Sequence, residues 1–330
     1  MASTSVSDAD VGSEEGSDTT VGSSGPVAPG GPGGSSPECS LIYAYDTSVE
    51  DSQALEVAAR AAKAGGKVAL ARLGQSDYMR WKGHRDVVSG ASLEVQEAIL
   101  EVLSRETPDF GILAEEGPED EPLPLDAEHL WIVDPICGSL NYVQGIPYFG
   151  VSVALRTQGA IRVGAVYDPC RDELFSATLS SHSTLNGAPI GVQQISEGFD
   201  AFEKAWVSTD WPRDQDKLDQ AMQIAAIMSR QVISFSALGS PALGLCNVAA
   251  GRTHAYWALE LKIWDIAAAA LILTRAGGTL TDDHGASWLF SQGGYIASNS
   301  IIHGWTMRCL QRVLEDKIPE RMGGFAKRET

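Results

Sequence analysis

The chain has 330 residues, 44% of them apolar and 20% charged, with a formal net charge of −19 at pH 7. That length and balance suffice for one large or two ordinary domains with real cores. A surface so acidic repels nucleic-acid phosphates and anionic membranes, so neither is an expected partner.

Five cysteines, Cys39, Cys137, Cys170, Cys246 and Cys309, are scattered without CxxC spacing. An odd, dispersed set argues for free thiols in a reducing compartment and against a disulfide framework or a zinc ribbon. There is no apolar run long enough to span a membrane and no basic, apolar leader, so the expected location is the cytoplasm.

Residues 1–37 consist largely of Ser, Gly, Thr, Asp, Glu and Pro, with no Lys, Arg or aromatic residue. Such a stretch buries too little apolar surface to offset chain entropy and reads as a disordered acidic tail. Residues 38–190 read as an N-terminal α+β half, and 191–330 as a C-terminal α/β half. Near its start, Leu55, Ala58, Ala59 and Ala62 recur at helical spacing, and Gly65-Gly66 is expected to end that helix. A charged loop follows around Trp81 and Lys82. Residues 92–106 form an amphipathic pattern capped by Ser92, with Val95, Ile99, Leu100 and Leu103 apolar. A short apolar strand over 110–114 ends on Glu115-Glu116.

The stretch 130–150 carries the strongest local signal. Leu130, Trp131, Ile132 and Val133 are apolar without alternation, as in a strand covered on both faces. Asp134 then stands at the strand's carboxyl end, where α/β sheets bind ligands. Pro135 is expected to stop the ladder, and Gly138-Ser139 to open a short helix whose N–H groups attract an anion. Next come a hairpin over 149–156 and 160–168, a third strand over 173–177 and a tight turn at Asn186-Gly187.

From 191 the pattern alternates: strand 204–208, helix 214–229, strand 231–235, helix 241–250, strand 253–257. A helix over 264–278 has Asp265 in its first turn, and a strand over 294–297 and a helix over 301–315 complete the chain. Helices, an antiparallel meander and then alternating elements predict two α+β or α/β halves stacked as layers.

Three acids end strands or begin helices: Glu115, Asp134 and Asp265. Hard cations such as Mg²⁺ take oxygen ligands, and three converging carboxylates hold one ion and can bridge to a second. The segments LAEEG, WIVDPICGSLNYVQGIPYFGVSVAL, GAVYDPCRDELFSA, LNGAPI and CNVAAGRTHAYWALELKIWDIAAAALILTRAGG resemble, in order, the signatures of the inositol monophosphatase family within the fructose-bisphosphatase-like superfamily. The resemblance implies a layered α-β-α-β-α sandwich, usually a homodimer, that removes phosphate from a small phosphomonoester with Mg²⁺. It implies that Glu115, Asp134 and the Ile136 carbonyl match ligands of a first metal, and that Asp265 matches a ligand of a second, bridged by Asp134. Gly138 and Ser139 match the loop whose amides hold the phosphate, and Glu116 is expected to support rather than ligate.

Three positions depart from that pattern. Cys137 stands where the family has a metal-binding Asp, and its soft thiol suits Zn²⁺ better than Mg²⁺; a small buried residue without chemistry is the competing reading. Ser92 replaces an acid that, with the loop hydroxyl now supplied by Ser139, helps deprotonate the attacking water, which predicts slower chemistry. Ala258 replaces a Glu that grips inositol, and Glu260 nearby reads as a surface acid. The leading expectation is a metal-dependent phosphomonoesterase acting on a small phosphorylated sugar, polyol or nucleotide. The alternative is a catalytically silent member that binds a phosphorylated metabolite or a protein partner.

Overall fold

A computed structural model describes residues 47–75, 79–83, 86–117, 127–194, 201–288 and 293–315. The tail expected over 1–37 lies outside the described residues. The chain opens with helix α1 (Thr47–Arg72), the hairpin β1 (Met79–Gly83) and β2 (Asp86–Ser89), and helix α2 (Gly90–Glu106). Strands β3 (Gly111–Ala114) and β4 (His129–Cys137) lead to the short helix α3 (Ser139–Val143). The meander β5 (Gly150–Thr157), β6 (Ala160–Asp168) and β7 (Glu173–Thr178) continues into β8 (Thr184–Leu185) and β9 (Ala188–Pro189). The remainder is β10 (Trp206–Thr209), α4 (Gln215–Met228), β11 (Ser234–Ala237), α5 (Pro241–Ala249), β12 (Ala255–Leu261) and α6 (Ile263–Arg275). It closes with β13 (Thr279–Asp282), β14 (Gly293–Ser298) and α7 (His303–Leu314).

The layers follow from which way each side chain points. Along β4, Leu130 and Ile132 join a core with α5 and α6, while Trp131 and Val133 join a second core with α1 and α2. The sheet β3-β4-β5-β6-β7-β8-β9 is therefore covered on both faces, as the unbroken apolar run requires. The second sheet, β11-β10-β12-β14-β13, repeats the scheme. Tyr256 and Ala258 of β12 face α5 and α6, and Val207 and Trp257 face α4 and α7. Helix pair, sheet, helix pair, sheet, helix pair is the expected α-β-α-β-α sandwich.

Several local expectations are corrected. Helix α1 runs through Gly65-Gly66. A Cβ on Gly65 would lie 2.7 Å from Ile99 Cγ1, and one on Gly66 would lie 2.6 Å from the Tyr167 ring. The glycines thus let α1 approach α2 and the sheet, and this packing outweighs their weak helix propensity. Gly66→Ala is accordingly expected to lower the melting temperature. Overpacking costs about 1–3 kcal/mol, against about 1 kcal/mol gained in propensity, and thermal unfolding followed by circular dichroism reads the balance.

Pro135 does not end β4; the ladder with β5 slips in register between Asp134 and Cys137 and then resumes. The helix expected to be capped by Ser92 starts earlier, with Ser89 as the cap accepting the Ser92 N–H at 3.1 Å. The polar loop around Trp81 contains the β1–β2 hairpin, and β13 follows α6 where no strand was expected. Cys137, Cys170, Cys246 and Cys309 are free thiols. No helix among the described residues is long and apolar enough to cross a membrane.

Candidate metal centre

Strand β3 runs parallel to β4, and the Glu115 N–H extends that ladder by donating to the Val133 carbonyl at 3.1 Å. This sets Glu115 beside Asp134, where the β4 ladder begins to slip. The next residue is clamped by its backbone: Gln96 Nε2 donates to the Glu116 carbonyl at 3.1 Å, and Gln96 Oε1 accepts the Glu116 N–H at 3.0 Å. Glu116 thus supports the turn through its main chain.

Where the β4 register slips, Asp134 Oδ1 accepts the Ile136 N–H at 3.0 Å. Ser139 Oγ donates to the Ile136 carbonyl at 3.1 Å. Gly138 adopts φ 118°, and a Cβ there would lie 2.9 Å from the Gly239 carbonyl oxygen, so only glycine fits this turn. Asp265 belongs to the first turn of α6, where its Oδ2 accepts the Lys262 N–H at 2.7 Å.

These elements bring one ligand atom each from Asp134, Cys137 and Asp265 within 4.8 Å of one another. Asp134 is 1% exposed and Cys137 2%. Burial, then the charges of Glu115 and Asp265, pushes the Asp134 carboxyl well above the usual carboxylate range. Burial, then Asp134 and Asp265, raises the Cys137 thiol in the same way. Crowded acids that resist ionisation are the donor set a divalent cation relieves. The oxygens suit a hard ion and the sulfur a softer one. Cys137 Sγ also accepts the Ala242 N–H, from the first turn of α5, at 3.3 Å.

Glu115, Asp134, Ile136, Cys137, Gly138, Ser139 and Asp265 all line one cleft of about 390 Å³. Two of the departures do not line it. Ser92 is buried with its Oγ 3.0 Å from that of Ser89, and Ala258 is packed in the core. Glu260, expected to be a surface acid, lines the cleft and accepts the Arg213 and Asp214 N–H groups at 3.0 and 3.3 Å.

Asp210 is the residue that sequence reasoning missed. It follows β10, which pairs in parallel with both β11 and β12, so these strands direct their carboxyl ends to the cleft. Burial pushes its carboxyl up to about 7, with the Asp265 charge adding to the rise. An acid at a strand's carboxyl end is the signal that identifies Glu115 and Asp134; with the strand read as 204–208, Asp210 falls one residue beyond that position.

Comparison with known proteins gives a consistent result. The model of the inositol monophosphatase family matches residues 50–315. A Pasteurella multocida protein named Nus factor SuhB is 33% identical over 267 residues, covering 80% of this chain and 97% of that protein. An inositol-1-monophosphatase of Rhizobium meliloti is 33% identical over 242 residues, covering 73% of this chain and 87% of the relative. A solved IMPase structure from Thermotoga maritima aligns with a TM-score of 0.73 at 29% identity, covering 80% of this chain and 99% of that one.

Proposed function

The chain belongs to the inositol monophosphatase family, and on that premise we propose that it is a Mg²⁺-dependent phosphomonoesterase acting on a small sugar, polyol or nucleotide phosphate. The observation that carries the reading is the convergence of Asp134, Cys137 and Asp265 within 4.8 Å in a cleft that Glu115 also lines. When bound, a divalent cation supplies charge neutralisation and Lewis-acid activation of water and phosphate.

The chain's own groups do the rest. Glu115, Asp134, Asp265 and the Ile136 carbonyl would hold the cation, with Cys137 as a further candidate. The Ile136 and Lys262 N–H groups fix the carboxylates of Asp134 and Asp265 before anything binds. The Gly138 and Ser139 amides would hold phosphate oxygens and stabilise charge that grows on them. Ser139 Oγ donates to the Ile136 carbonyl and keeps acceptor capacity to orient an attacking water. Ser92 is a hydroxyl away from the cleft and contributes no base, which predicts slow turnover. A cytoplasmic homodimer completes the proposal.

Phosphate release from a broad phosphomonoester panel, with Mg²⁺, Mn²⁺ or Zn²⁺, tests the reading. Release that requires metal and stops with chelator is expected. No release with any of these metals overturns it and favours the silent member that only binds a phosphorylated metabolite or a protein.

A further inference from the structure

Asp210 lines the cleft without belonging to the metal-ligand or phosphate-loop positions. Both of its oxygens are fixed from neighbouring elements. The Gly239 N–H donates to Oδ1 at 2.6 Å, and the hydroxyl of Tyr256, itself 1% exposed, donates to Oδ2 at 3.0 Å. Gly239 meets the phosphate loop on its other side. Its carbonyl oxygen packs on Gly138, and Asn141 Nδ2 donates to the carbonyls of Leu238 and Gly239 at 2.7 and 3.3 Å. The Gly239 peptide thus links Asp210 to the loop at 138–141.

When ionised, as Asp210 is above about pH 7, a carboxylate has about four acceptor positions, and two are taken here, so Asp210 keeps acceptor capacity on a rigid mount beside the cleft. An ester whose phosphate sits on Gly138 and Ser139 occupies the same cleft of about 390 Å³ that Asp210 lines. Trp211, 43% exposed and also lining the cleft, adds a flat apolar face suited to the C–H groups of a polyol or sugar. The other carboxylate outside the metal set, Glu260, has one oxygen committed to the amides of Arg213 and Asp214. Ala258, where a gripping glutamate is expected, is absent from the cleft wall.

We propose that Asp210 reads the alcohol half of the substrate by accepting a hydrogen bond from a hydroxyl beside the ester-bearing carbon, which selects polyol and sugar phosphates over esters that lack it. The inference rests on the phosphomonoesterase reading and names the substrate class of that site. A fixed acceptor left unpaired by a deoxy analogue is what makes such discrimination steep.

Glycerol 2-phosphate and isopropyl phosphate share a skeleton and differ in the flanking hydroxyls, so the ratio of their kcat/KM values is the readout. Wild type is expected to prefer the hydroxylated ester by at least about tenfold, and Asp210→Asn to bring the ratio within about threefold, mainly through KM for glycerol 2-phosphate. Tyr256→Phe, which removes one orienting donor and keeps the ring, is expected to move the ratio the same way by less. An Asp210→Asn enzyme that slows on both esters equally, with the ratio intact, overturns the proposal, since a purely structural role would do that. Wild type that hydrolyses neither ester nor any member of the wider panel overturns the phosphomonoesterase reading, and this inference with it.

Discussion

Asp134→Asn is expected to abolish divalent-metal binding and lower phosphate release by at least about 100-fold, while the metal-free protein melts higher than wild type. Even residues that only orient metal ligands cost about 10–100-fold when changed, and Asp134 is central to the cluster. Asparagine keeps an oxygen for the Ile136 N–H but removes the negative charge. In wild type ionising Asp134 is opposed by burial and by the charges of Glu115 and Asp265, a cost that a bound cation offsets and that the metal-free protein meets by holding a proton. Saturating metal at 100 times its Kd stabilises wild type by about 2.7 kcal/mol; the variant is expected to show no such rise.

The pH dependence has a definite sign. The Asp134 and Asp210 carboxyls are held above their ordinary values in the folded protein. Their folded forms keep protons that the unfolded chain releases, so stability falls as pH rises above the unfolded carboxylate range, and for Asp210 it goes on falling until about pH 7. Metal-free wild type is expected to melt higher at pH 5 than at pH 7, with a smaller difference in Asp134→Asn. Scanning calorimetry with and without Mg²⁺ reads all of this, and Mg²⁺ binding by the variant at wild-type affinity would remove Asp134 from the centre.

What was legible in the sequence was local. Leu130 to Val133 announce a strand buried on both faces because water has no side to occupy, and the structure sends alternate residues into two cores. Glu115 and Asp134 are visible as acids at strand ends. The meeting of Asp134 with Asp265, in a cleft that Glu115 also lines, is not visible, because it depends on β3 lying parallel to β4 and on α6 packing between the two sheets. Gly65-Gly66 looked like a stop because the cost of glycine in a helix is local, whereas the close approach to Ile99 and Tyr167 is tertiary. Asp210 was missed through a small displacement. A strand assigned to 204–208 leaves it in a loop, whereas the observed strand, Trp206–Thr209, makes it the residue at the carboxyl end.

Cys137→Asp is expected to tighten Mg²⁺ binding by about 10–100-fold, or about 1.4–2.8 kcal/mol, and to raise Mg²⁺-supported kcat/KM at least about tenfold. A carboxylate there adds a hard donor beside Asp134 and Asp265, at a position where the sulfur now lies within 4.8 Å of an oxygen of each. The Ala242 N–H that donates to Sγ is available to the new carboxylate. The gross attraction to a dication is larger, several kcal/mol even at an effective dielectric of about 20. Repulsion within the acid cluster and burial at a site 2% exposed take most of it back. The same repulsion is expected to lower the melting temperature of the metal-free variant, so gain with metal and loss without it should appear together. Cys137→Ser separates the sulfur from the charge: it is expected to weaken Zn²⁺ binding, since a soft donor is lost, without the Mg²⁺ gain of the aspartate variant. If Cys137→Asp leaves both Mg²⁺ affinity and turnover unchanged, the thiol is a packed core residue and the limit on catalysis lies in the base that Ser92 does not supply.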